Sequence, residues 1–180
     1  MGLEMCMWQI KMAKMDQLII SGEACEEFLE AQFPGLAEED EKEGRGERKT
    51  KYSVDPEDEG IDFGKSWHIL HYLITGNDEG GDSTLDFAIM VGHPVEGLGG
   101  EFCWLTPEEV RDIANALDGL SKEDMRKRSG KDAMSKVDIY RCPPGLGEDE
   151  FKYAMKDFRA LKKYYRDAAE KGNAMLRLIS

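Results

Sequence analysis

The chain has 180 residues, of which 41% are hydrophobic and 34% charged, and its formal net charge at pH 7 is −13. This length accommodates one domain that buries a core without covalent staples. A surface this negative repels the phosphates of nucleic acids and of anionic lipids, so the composition excludes both nucleic acid and a membrane surface as expected partners.

The cysteines and the first residues indicate the compartment. The chain has four cysteines, Cys6, Cys25, Cys103 and Cys142. They form no CxxC pair and no His/Cys cluster with the spacing of a zinc site. The first ten residues lack the basic and apolar regions of a secretory signal, and no apolar run approaches the length of a membrane span. We therefore predict a soluble cytoplasmic protein with reduced thiols, without a metal or a cofactor.

The N-terminal segment predicts one strand and two helices. Residues 3–10 alternate like a strand that is covered on both faces, and residues 13–20 are typical of a short helical turn. Ser21 is a suitable N-cap for the next helix, which ends before Pro34. The apolar stripe of that helix consists of Cys25, Phe28, Leu29 and Phe33.

A charged block then interrupts the pattern. Residues 38–60 hold ten acidic and five basic side chains and almost nothing apolar. Such a stretch buries too little surface to offset the entropy of ordering it. We interpret it as a flexible, acidic insertion within a single domain that spans residues 1–180; an acidic docking element is the alternative.

The middle of the chain predicts a central helix. Residues 67–75 are almost entirely apolar or aromatic, Ser66 is placed to cap their start, and Gly76 lies where a C-terminal glycine belongs. A helix that is apolar on most sides is buried on most sides. Residues 85–91 then predict a helical turn that leads into a glycine-rich connection.

The clearest local signal follows at residue 106. Thr106, Pro107 and Glu109 combine an N-cap, a proline at the first helical position and a capping-box glutamate. The helical stripe consists of Val110, Ile113, Ala114 and Leu117. Another short helix is predicted to begin at Ser121, followed by one more helical turn within residues 130–136. Residues 137–140 resemble a strand.

The C-terminal segment predicts the longest helix and a final strand. Residues 148–171 carry apolar side chains three and four apart, Gly172 ends the helix, and residues 174–179 form the strand. The core stripe includes Tyr165, whereas Tyr153 and Tyr164 lie at its rim or on an interaction surface. The elements together predict a helix-dominated α+β domain with a small sheet of short N-terminal, middle and C-terminal strands.

Three segments carry a family likeness: residues 67–76, residues 105–110, and the tail from residue 161 to the end. With the Ile139-Tyr140 pair, they resemble the YfbM-like family of uncharacterised proteins, in the expected order. The chain departs from that family at the charged block 38–60 and at Arg141, which follows Tyr140 where proline is more usual. The resemblance implies a compact α+β domain and no established activity.

The candidate site residues are the histidines and aromatic residues of the central helix. His68 and His71 are three residues apart and point to one side of it, where they either join a metal site or form hydrogen bonds within the core. The residues that would line a ligand pocket, unless they simply pack in the core, are Trp67, His68, His71, Tyr72 and Trp104.

Three functions follow as hypotheses, the third being that of a purely structural domain inside a larger assembly. The sequence contains no GxSxG elbow and no phosphate-binding glycine motif, and its charged helices favour a non-enzymatic interaction module with a protein partner. The alternative is a small-molecule-binding protein or enzyme with its site at Trp67, His68 and His71. An exposed patch would favour the first, and a solvent-connected pocket that reaches an imidazole would favour the second.

Overall fold

The computed structural model describes residues 3–32, 60–100, 102–142 and 144–179. Their five strands form one antiparallel sheet in the order β2-β1-β5-β4-β3. The strands are β1 (Met5–Ile10), β2 (Gly60–Gly64), β3 (His93–Pro94), β4 (Phe102–Leu105) and β5 (Ala174–Ile179). The N-terminal and C-terminal strands therefore lie side by side, with Met5 opposite Ile179.

Helices cover both faces of this sheet. Those in the described residues are α1 (Met12–Leu18), α2 (Gly22–Gln32), α3 (Trp67–Thr75), α4 (Pro107–Asp118), α5 (Lys122–Arg128), α6 (Lys131–Met134) and α7 (Glu148–Lys171), together with a 3-10 turn at Asp86–Ala88. The helix-dominated α+β class is confirmed. The acidic block 38–60 lies outside the described residues, except for Gly60, which begins β2.

Alternation along β1 divides the core into two parts. Met5 and Met7 point to the larger part, which contains α3 to α7, whereas Trp8 and Ile10 point to a smaller part that contains α1 and α2. In the smaller part, Trp8 packs edge-on against Phe28 with ring centroids 6.0 Å apart. Because both faces are covered, β1 and its neighbour β5 are buried along most of their length.

Two helices have the boundaries that their local chemistry dictates. The hydroxyl of Thr106 accepts from the Glu109 amide at 3.2 Å, and the Glu109 carboxylate accepts from the Thr106 amide at 2.8 Å, which completes the predicted capping box of α4. Helix α7 spans Glu148–Lys171 and ends at Gly172, whose φ of 66° suits a residue without a side chain.

Three sequence interpretations need correction. Ser66 does not cap α3, because its hydroxyl lies 2.7 Å from both the Phe63 carbonyl and the Asp157 carboxylate. Residues 137–140 form no strand, since the Tyr140 amide donates to His68. Tyr164 is buried rather than at the rim, and its hydroxyl bonds to the backbone of β1.

Candidate functional site

Trp67 and His68 begin the buried helix α3 and stack on one another. Their ring centroids are 4.8 Å apart and their planes differ by 7°. The Trp67 indole donates to the Leu3 carbonyl at 3.2 Å, and the Tyr140 ring stacks on the indole at 6.2 Å. This stack ties the helix to the N-terminal segment and to the turn after α6.

Both nitrogens of His68 have backbone partners. Nδ1 accepts from the Tyr140 amide at 2.9 Å, which leaves Nε2 to carry the proton and donate to the Asp78 carbonyl at 2.7 Å. His68 is 9% exposed. Its imidazole therefore holds the loop after α3 to the turn after α6, and a ligand would have to break one of these bonds to reach it.

His71 is fully buried one turn further along α3. Its Nε2 donates to the Glu79 carbonyl at 3.0 Å and lies 3.8 Å from the Asp86 carboxylate. Burial lowers the pKa of His71 below its ordinary value, although the Glu79 carbonyl and Asp86 act in the opposite direction. The imidazole is therefore neutral at neutral pH.

Tyr72 and Trp104 do not complete an aromatic pocket. Tyr72 is buried in the larger part of the core, where burial raises the pKa of its hydroxyl. Trp104 lies on the other face of the sheet, in the smaller part, with its ring 5.1 Å from that of His93. The structure thus separates Trp104 from Trp67, His68 and His71, and the ligand-binding role of these residues stays a prediction.

The sequence analysis missed a polar cluster beneath the loop 77–92. Arg177 of β5 is 1% exposed, and its guanidinium donates to the Phe87 carbonyl at 3.1 Å. Asp86 is 5% exposed and accepts from the amide and hydroxyl of Ser83 at 3.0 and 2.5 Å. An arginine inside the apolar tail strand was the one signal of this cluster in the sequence.

Each member of this buried cluster keeps one polar atom without a hydrogen bond within the described part of the chain. The atoms are His71 Nδ1, Asp86 Oδ1 and Arg177 Nη2. Buried polar groups are normally satisfied, and a buried charge is costly unless another charge compensates it. Asp86 and Arg177 are of opposite charge and both act electrostatically on His71, and the Arg177 hydrogen bond to the Phe87 carbonyl ties the cluster to the loop.

A groove on the outer surface runs between α5 and the first half of α7. It has a volume of about 490 Å³. We call it the α5–α7 groove, and its lining residues are Lys122, Glu123, Arg126, Glu148, Phe151, Lys152, Met155 and Arg159. The guanidinium of Arg126 lies over the Phe151 ring, 4.4 Å from its centre, and Phe151 is 2% exposed.

A shallower depression of about 500 Å³ continues the groove along α7. It shares Lys152 and Arg159 with the groove and adds Asp149, Tyr153 and Lys156. The Tyr153 side chain is 70% exposed, which makes it one of the most exposed large apolar side chains of the described residues. Cationic side chains and one open aromatic ring therefore form a continuous surface.

Ion pairs within this surface neutralise only part of its charge. Glu148 pairs with Arg126, and Asp149 pairs with Lys152 at 3.0 Å. Within the described residues, the side chains of Lys122, Lys156 and Arg159 have no hydrogen-bonding or ionic partner, and Glu123 is the remaining unpaired carboxylate. The surface therefore carries excess positive charge on a chain whose net charge is −13.

A third, smaller cavity of about 140 Å³ lies between the loop 77–92 and α4. Its lining residues are Asp82, Thr84, Phe87, Glu109, Asp112 and Ile113. Glu109 is already engaged, because it closes the α4 capping box and accepts from His93 at 2.8 Å. Hydrogen bonds from Thr106 and His93 lower the pKa of Glu109 against the opposing effect of burial. This cavity therefore borders a helix cap.

Two kinds of feature are absent from the described residues. They contain no group of three or more His, Cys, Asp and Glu side chains placed to hold a metal ion. Within the same ranges, no helix combines the length and the apolar character that crossing a bilayer requires.

Comparisons with known proteins agree with this architecture. A family model described as a domain of unknown function, DUF1877, matches residues 1–178. The crystal structure of YfbM, a protein of unknown function from Escherichia coli, superposes with a TM-score of 0.66 at 21% identity, over 98% of this chain and 99% of that chain. None of the curated proteins matches the chain. The likeness to YfbM shows the fold.

Proposed function

The chain belongs to the DUF1877 family, a family of domains of unknown function. From the geometry, we propose that it is an interaction module and not an enzyme, and that it binds a peptide segment of a partner protein in the α5–α7 groove. The observation that carries this proposal is the set of unpaired side chains there. Lys122, Lys156 and Arg159 are exposed and have no ionic partner in the described residues.

The groove has the composition of a binding surface. Interfaces are enriched in arginine and aromatic residues, and here Arg126 and Arg159 lie beside Phe151 and Tyr153. The aliphatic stems of the lysines and arginines add apolar contact area to the walls. A partner would therefore find both apolar contact and charge along the same strip.

The other candidate sites support binding less well. Both ring nitrogens of His68 and Nε2 of His71 form hydrogen bonds with the backbone of the surrounding loops. A small molecule would therefore have to displace the loop 77–92 to bind them. In the small acidic cavity, the lining residue Glu109 is already engaged in the capping box of α4. The polar groups of the α5–α7 groove reach a partner without any such rearrangement.

We also propose a cytoplasmic location. The four cysteines are free in the structure, and burial raises the pKa of Cys6 to about 12 and of Cys25 to about 11. Thiols of this kind are unreactive, as expected of a protein from a reducing compartment. Fluorescence microscopy of the tagged protein checks the location.

The experiment for the groove is selection of random 12-residue peptides, displayed on phage, against the purified protein. Enriched peptides are then tested on two variants. Tyr153→Ala/Arg159→Glu alters the groove, whereas Arg111→Glu/Lys136→Glu makes two charge reversals at exposed, unpaired positions elsewhere. We expect the groove variant to lose the selected peptides and the control to keep them. No enrichment, or binding that ignores the groove substitutions, would contradict the proposal.

A further inference from the structure

We infer that the segment bound in the α5–α7 groove is acidic: a short run of aspartate or glutamate with an apolar residue beside it. This inference rests on the proposed function and names the chemistry of the partner. Its basis is the uneven pairing of charges, in which Lys122, Lys156 and Arg159 remain unpaired against the single carboxylate of Glu123.

Complementary charge selects the acidic segment over a basic or neutral one. The cations of the groove attract a carboxylate locally, and screening limits the effect of charges beyond about 10 Å at 0.1 M salt. The negative charge elsewhere on the chain, whose formal net charge as a whole is −13, then acts mainly on parts of the partner outside the groove. Electrostatic complementarity of this kind determines specificity more than raw affinity.

The spacing of the unpaired cations suits an extended peptide. Lys156 and Arg159 are three residues apart on α7, which places their Cβ atoms about 5–6 Å apart. Alternate side chains of an extended chain repeat about every 6.6 Å. Two carboxylates on the same side of a strand can therefore reach both cations, while Tyr153, 70% exposed beside them, contacts an apolar neighbour.

The length of the groove favours a peptide over a nucleic acid. From Phe151 to Arg159 the helix advances about 12 Å, the length of about four extended residues. A nucleic acid would extend past both ends of the groove, where the rest of the strongly negative chain repels its phosphates. A short acidic segment ends before it meets that repulsion.

Fluorescence anisotropy with defined probes tests the inference on the full chain. The acidic probe is a fluorescein-labelled peptide, Glu-Leu-Glu-Phe, which places two carboxylates on one side of an extended chain, and its neutral counterpart replaces every Glu by Gln. We expect the acidic probe to bind at least about tenfold more tightly at low salt, and the difference to shrink at 0.5 M salt. Lys156→Glu/Arg159→Glu should abolish the difference, and Arg111→Glu/Lys136→Glu should retain it.

The outcomes separate this inference from the proposed function. Equal affinity of the two probes, or groove-dependent peptides from the display that are neutral or basic, overturns the acidic partner and leaves the groove as a docking surface. No groove-dependent peptide of any composition overturns both. Tighter binding of a labelled 12-nucleotide RNA than of the acidic probe overturns the peptide as occupant.

Discussion

Cationic side chains occupy two opposite settings in this fold, the interior beneath the loop 77–92 and the α5–α7 groove. Arg177 is 1% exposed, donates to the Phe87 carbonyl and shares a low-dielectric environment with Asp86. Lys156 and Arg159 are exposed and have no ionic partner in the described residues. The buried charge of Arg177 therefore stabilises the fold, whereas the hydrated charges of Lys156 and Arg159 remain available for a partner.

The largest effect is expected at Arg177. Arg177→Leu removes a buried guanidinium and leaves the partly buried Phe87 carbonyl without its donor, so we expect the free energy of unfolding to fall by about 2 kcal/mol. Urea denaturation measures it. Adding Asp86→Asn completes a double-mutant cycle, in which a coupling energy above about 0.5 kcal/mol would show that the two buried groups interact. A single-variant loss below about 0.5 kcal/mol would mean that the interior charge is dispensable.

His71 adds a pH dependence to the same interior. In the unfolded chain its imidazole takes up a proton near the ordinary pKa of 6.5, but burial lowers the pKa in the folded protein. Between these two values the unfolded state binds more protons, so stability falls as pH drops below about 6.5, by at most about 1.4 kcal/mol per pH unit for one proton.

Urea denaturation between pH 7.5 and 5.5 measures this slope. His71→Gln retains a donor for the Glu79 carbonyl and removes the titration, so it should flatten the slope. Thr84→Ala, at an exposed side chain without a titratable group, is the control and should leave the slope in place. A slope that survives His71→Gln would assign the proton uptake to another group.

The helices illustrate how much of the fold local sequence determines. The end of α7 follows from its apolar spacing and from Gly172, and the capping box of α4 follows from Thr106, Pro107 and Glu109. These signals act through neighbouring residues, so one sequence is enough to read them. The buried face of α3 was predictable for the same reason.

The misread elements depend on partners far along the chain. Strand β2 exists because it pairs with β1, which lies more than fifty residues earlier. In the turn at residues 137–140, backbone amides donate hydrogen bonds to the side chains of His68 and Asp78 and not to a neighbouring strand. Of the candidate site, the sequence placed His68 and His71 on one helix. It gave no indication that Arg177 and Asp86 lie beside His71, or that Trp104 lies on the opposite face.

The Thr106 cap is an intermediate case, a half-buried polar group satisfied by its own helix. Thr106→Ala removes the acceptor for the Glu109 amide, and we expect a loss of about 1 kcal/mol in the free energy of unfolding. Thr84→Ala, at an exposed threonine, is the control, with an expected change within about 0.5 kcal/mol. Equal losses in the two variants would show that the cap contributes nothing specific.

The smallest effect is expected at the groove, where the comparison is sharpest. Lys156→Glu/Arg159→Glu reverses two charges without breaking an ion pair or a hydrogen bond of the described residues, so we expect the free energy of unfolding from urea denaturation to stay within about 0.5 kcal/mol of that of the original chain. Arg166→Glu on the same helix is the counterpart, because Arg166 pairs with Asp118 at 2.5 Å and its reversal places two carboxylates together. If the groove variant proved less stable than Arg166→Glu, its cations would serve the fold as Arg177 does, and a solvated charge could no longer be equated with one that is available to a partner.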